Sequence, residues 1–66
     1  SNILARPLIH LAPTIRSLSH TKSYIILSGF LDYQTEEVIE AYQAQGFEVY
    51  NTLQEDKWMC VVLFLG

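Results

Sequence analysis

From Arg6 to about Ser19 the apolar residues Leu8, Ile9, Leu11, Ala12, Ile15 and Leu18 recur three or four positions apart, which predicts a helix with one buried stripe. Pro7 suits its first turn, where no intrahelical donor is lost. Pro13 lies in the interior, where proline removes a backbone hydrogen bond and disfavours helical geometry at Ala12. The pattern therefore predicts a break or kink at Pro13 and a second short helix after it. Ser19 to Ser23 is polar and turn-like. Tyr24-Ile25-Ile26-Leu27 is continuous, β-branched and aromatic, as expected of a strand covered on both faces in a parallel sheet, and Ser28-Gly29 ends it.

Asp32 is placed to cap the next helix, whose stripe is Val38, Ile39 and Tyr42 with Thr35, while Glu36, Glu37, Glu40 and Gln43 point outward. Gly46 stops that helix in the left-handed position, with Phe47 as the apolar residue beyond. Phe47, Val49, Asn51 and Leu53 then alternate with Glu48, Tyr50 and Thr52, an incomplete half-buried strand pattern, and Gln54 to Lys57 form a turn. Trp58 to Leu65 is so apolar that it belongs inside the sheet and not at its edge. A turn this short cannot cross over the sheet, so the closing hairpin is antiparallel. The order helix, strand, helix, strand, strand is an α/β half-fold that wants a further parallel strand ending just before Ser1. With no initiator methionine, the chain is expected to be a fragment entered mid-fold.

A length of 66 residues limits the chain to one unit of marginal independent stability. Half of it is apolar and 17 % is charged, a composition that supports a core and excludes disorder. The formal net charge is −3, and the basic residues are Arg6, Arg16, Lys22 and Lys57, so no phosphate-neutralising stripe can be drawn and direct nucleic-acid binding is not expected. The apolar run Met59 to Leu65 is far shorter than the roughly 20 residues of a membrane helix. Cys60 has no partner for an intrachain disulfide, and burial as a small hydrophobe is its expected fate. These features read as a cytoplasmic, reducing setting without membrane contact.

Several short motifs occur together: Asn2-Ile3-Leu4-Ala5 with Pro7-Leu8, Leu11-Ala12-Pro13, Leu27-Ser28-Gly29 followed by Leu31, Val38 with Ala41-Tyr42, Gly46-Phe47, and Trp58. In this order they resemble the tail of the ribosomal protein L11 methyltransferase family across essentially the whole chain. The polar His20-Thr21-Lys22-Ser23 departs from the pattern, because many relatives turn there on Pro-Gly-Gly. The resemblance implies residues 1–66 of a Rossmann-like class I methyltransferase domain, its C-terminal portion, with the last strand antiparallel and inserted between its two predecessors. It also implies S-adenosylmethionine as methyl donor, with the glycine-rich loop, the ribose-binding acid and an N-terminal substrate-recognition domain all outside this chain.

In such folds ligands lie beyond the carboxyl ends of the strands, which points to Asn2 to Leu4 and Ser28 to Leu31. The resemblance makes Asn2 the catalytic and cofactor-contacting candidate. A primary amide accepts a hydrogen bond from an incoming amine without adding a charge, and the bland alternative is a turn-forming Asn. Leu4, Gly29, Phe30 and Leu31 are candidates for the substrate pocket, although a glycine after a strand is more often a turn requirement. His10 and His20 lack cysteine or carboxylate neighbours at ligand spacing, so no metal site is expected. The glutamates fit a solvated helix face, and Tyr42 and Trp58 fit core packing.

The leading function is a parent enzyme that moves methyl groups from S-adenosylmethionine to lysine or terminal amino groups of ribosomal protein L11, the fragment itself being inactive and prone to self-associate. The alternative, from another class, is a small non-catalytic α/β interaction module whose hairpin edge pairs with a partner.

Overall fold

The computed structural model describes residues 5–66. It contains helix α1 (Ala5–Leu18), strand β1 (Ser23–Leu31), a 3-10 turn (Asp32–Gln34), helix α2 (Thr35–Gln43), strand β2 (Phe47–Glu55) and strand β3 (Trp58–Leu65). The strands form one antiparallel sheet in the order β1-β3-β2, so the last strand sits between its two predecessors, as its apolar run requires.

Alternation along β3 divides the sheet into two faces. Met59, Val61, Leu63 and Leu65 are buried beneath the helices, whereas Trp58, Cys60, Val62 and Phe64 turn the other way. Leu27, Phe30 and Phe47 join the buried set from the flanking strands, and Ala5, Ala12, Val38 and Tyr42 close it from the helices. The opposite face carries Tyr24, Ile26, Tyr50, Leu53 and Trp58, all exposed. This corrects the expectation that Tyr24 to Leu27 is covered on both faces, since within this chain Ile26 is 68 % exposed; the antiparallel pairing of β1 with β3 is as expected.

α1 runs through Pro13 without a break. The lost hydrogen bond is offset by packing, since Ala12, immediately before the proline, is buried and Leu8, Ile9 and Ile15 pack against the core. The two helices are also tied together, with the Tyr42 hydroxyl donating to the Leu8 carbonyl at 2.8 Å and the Arg16 Nε–H to the Gln45 carbonyl at 3.1 Å. Leu11 and Leu18, expected in the stripe, are exposed.

β1 does not end at Ser28-Gly29. Gly29 takes φ +88 as the extra residue of a bulge between Ser28, opposite Cys60, and Phe30, opposite Met59. The inserted residue shifts the alternation by one, so Phe30 faces the helices and is fully buried. A second bulge between Val49 and Asn51 does the same in β2, sending Leu53 to the open face opposite Cys60. The half-buried pattern expected of this strand is therefore reduced to Phe47 alone. The hairpin turn is tighter than expected, because Gln54 and Glu55 stay in the strand and Asp56, at φ 59, makes the reversal with Lys57.

Asp32 begins the 3-10 turn without serving as its cap. Leu31 holds the cap position, and its N–H donates to Oε1 of the fully buried Gln34 at 2.9 Å. Gly46, at φ +97, ends α2 as expected, and Phe47 is buried beyond it. In the polar turn before β1, Lys22 takes φ 64, its N–H donates to the Leu65 carbonyl, and the Ser23 hydroxyl donates to the His20 carbonyl. The turn is tight despite lacking glycine.

Candidate functional site

The carboxyl end of β1 and the hairpin tip meet at one end of the sheet, because the Asp32 N–H donates to the Lys57 carbonyl at 2.8 Å. Beside this junction lies an open groove of about 440 Å³. Ser28 and Gly29 line it from β1, Leu53 and Glu55 from β2, and Trp58 and Cys60 from β3. The register explains the assembly: Ser28 and Leu53 both stand opposite Cys60, while Leu31 and Glu55 both stand opposite Trp58. The walls are predominantly apolar. Trp58 is 49 % exposed, so it belongs to the groove and not to the core in which its size suggested it would pack.

Among the four expected pocket residues, Gly29 lines the groove, Leu31 is half-buried beside it, and Phe30 is fully buried on the helix side. Leu4 and the catalytic candidate Asn2 lie outside the described residues. A Cβ at Gly29 would meet nothing within 4 Å. Its backbone conformation, and not a shortage of space, therefore calls for glycine. Neither Leu53 nor Glu55 was expected at the site, and Trp58 was expected in the core. An aromatic residue directly after a turn was a signal for Trp58, but Leu53 reaches the groove only through the bulge in β2.

Other chemistry lies away from the groove. Tyr42 is buried between the helices, which raises its hydroxyl above the ordinary value of 10.0. Tyr33, Glu36, Glu37 and Glu40 edge an acidic hollow at the start of α2, where negative charge is favoured by the helix dipole. Among the described residues no group of three or more His, Cys, Asp or Glu is gathered to hold a metal ion. No described helix is long and apolar enough to cross a membrane.

The family model for ribosomal protein L11 methyltransferase (PrmA) matches residues 1–64. The chain belongs to this family. Among curated relatives, the ribosomal protein L11 methyltransferase of Brucella suis is 46 % identical over 63 residues, covering 96 % of this chain and 22 % of that protein. The protein of the same name from Marinomonas sp. is 45 % identical over 62 residues, covering 94 % of this chain and 21 % of its own length. The chain thus spans about a fifth of the length of these L11 methyltransferases. Ser28 and Gly29 of the Leu27-Ser28-Gly29 run form the bulge edge of the groove, and Trp58 is its wall.

Proposed function

We propose that this chain is the C-terminal part of a Rossmann-like methyltransferase domain, in an enzyme that transfers methyl groups from S-adenosylmethionine to lysine or terminal amino groups of ribosomal protein L11. The observation that carries the reading is family membership over residues 1–64, joined to a strand order in which the final antiparallel strand is inserted between its predecessors. The groove at the carboxyl end of β1 supports it, since ligands of α/β sheets gather at that end.

The described residues suit a supporting share in donor binding. The space beside Gly29 is open, whereas the groove offers no basic residue to meet the donor's carboxylate. Most of the donor's partners therefore belong to the remainder of the enzyme. When bound, S-adenosylmethionine supplies an electrophilic methyl carbon. Everything else falls to orientation and desolvation: a free lysine, with a pKa of about 10.4, is mostly protonated at neutral pH, so apolar walls favour the neutral amine and the Asn2 amide oxygen accepts a hydrogen bond from its N–H and aligns its lone pair.

In the full-length enzyme Asn2→Ala is expected to lower turnover by about 100-fold, the scale of a misaligned nucleophile, with little change in folding stability. A methylation rate equal to wild type at saturating donor removes the role. An interaction module remains the second reading because the exposed Tyr24, Ile26 and Tyr50 suit a partner surface. The residues encoded immediately before Ser1 discriminate: an apolar strand preceded by a glycine-rich loop favours the enzyme, and a start codon favours the module.

A further inference from the structure

We propose that Gln34 is a positioning residue for methyl transfer: its buried side-chain amide takes the outward-facing N–H of Leu31, ends strand pairing there on the edge of β1 away from β3, and so holds the crevice along that edge open. The proposal rests on the methyltransferase reading and adds to it a residue that acts through the backbone, without touching donor or acceptor.

Backbone geometry decides which way the Leu31 N–H points. Successive donors along a strand face opposite edges. The Asp32 N–H donates to the Lys57 carbonyl at 2.8 Å, towards the hairpin and β3, so the Leu31 N–H faces the other edge. Among the described residues no strand pairs on that edge, since the sheet order is β1-β3-β2. There Gln34 Oε1 accepts the Leu31 N–H at 2.9 Å, in the place that a carbonyl of a neighbouring strand would otherwise take. A capping box at the start of the 3-10 turn accounts for the bond but does not ask for burial, and Gln34 is 0 % exposed. An amide withdrawn from water destabilises unless it is bonded, so this side chain is held to its partner. In the parent enzyme the preceding parallel strand runs along the same edge of β1, and its pairing stops where the Leu31 N–H is already engaged. The two strands therefore part at the carboxyl end of β1, which is where α/β sheets open a crevice for ligands. The Asp32 bond to the Lys57 carbonyl fixes the strand end from the opposite side, so it cannot follow the departing neighbour.

The test uses the full-length enzyme with ribosomal protein L11 as acceptor. Gln34→Met keeps the stem and loses the accepting oxygen, whereas Gln34→Glu keeps an oxygen at the same reach. At saturating donor and acceptor, and below the unfolding midpoint of each variant, Gln34→Met is expected to lower kcat about 30-fold, within the roughly 100-fold cost of a small misplacement, with KM for either substrate changed by less than about twofold. Gln34→Glu should recover most of the lost kcat. A merely structural role would lower the midpoint and leave kcat of the folded enzyme unchanged. In the wild type, a through-hydrogen-bond NMR coupling should join the Leu31 nitrogen to the Gln34 side-chain carbonyl carbon, a readout that needs no variant to fold. A coupling to a main-chain carbonyl instead, or none at all, overturns the proposal. A wild-type kcat in Gln34→Met, or no recovery in Gln34→Glu, overturns it as well while the enzyme reading stands. If the wild type methylates no amine, both fall.

Discussion

Tyr42 concentrates much of the architecture in one side chain. Its ring is fully buried against Phe47, with centroids 5.8 Å apart, and its hydroxyl reaches across to the Leu8 carbonyl in α1. Tyr42→Phe keeps the ring and removes that bond, so in the full-length protein it is expected to cost about 1 kcal/mol of stability in denaturant unfolding. Burial favours the neutral phenol, which raises its pKa above 10.0 in the folded state. The associated stability is fully present below the unfolded value and is lost as pH rises through the folded one. Wild type should consequently lose stability more steeply than Tyr42→Phe above pH 10.0, and parallel pH profiles would contradict the assignment. The apolar spacing of α2 marked Tyr42 as core, but no local pattern identifies Leu8, 34 residues away, as the acceptor of its hydroxyl.

At the scale of elements, packing overrides local preference in α1 and bulges override periodicity in the sheet. Pro13 is itself exposed, so its ring contributes little to the core while its missing N–H weakens the helix. Pro13→Ala is expected to stabilise the full-length protein by about 1–3 kcal/mol without changing catalysis, read from the unfolding midpoint and from far-ultraviolet circular dichroism. An unchanged midpoint would mean that α1 pays no penalty for its proline. The strands make the complementary point. Gly29 could be read from the sequence as a strand terminator, but whether a glycine ends a strand or bulges within it depends on the partner across the ladder. Here Met59 and Cys60 continue the pairing on either side of the bulge.

For the molecule as a whole, the dominant feature is a sheet covered on one face and open on the other. Tyr24 packs its ring 5.0 Å from both Tyr50 and Phe64 on the open side, yet Tyr24 and Tyr50 remain more than half exposed. Patches of this kind mark association. We expect the 66 residues made alone to self-associate or to pack loosely, and to bind S-adenosylmethionine no better than background. Ile26→Lys, which places a charge in the middle of the patch, should shift sedimentation toward the monomer. A monodisperse wild-type monomer with a cooperative melt and micromolar donor affinity would defeat this account.

The sequence by itself determined the element order, the central place of Trp58 to Leu65, the stop at Gly46 and the family, because each follows from local periodicity, uninterrupted apolarity or a motif readable along the chain. Tertiary structure alone decided that α1 passes through Pro13, that Phe30 turns inward while Leu53 turns outward, and that Trp58 walls a groove. These outcomes depend on which residues lie opposite one another in the sheet. A one-residue bulge reverses every side chain beyond it, and its effect becomes visible only when the paired strands are in place.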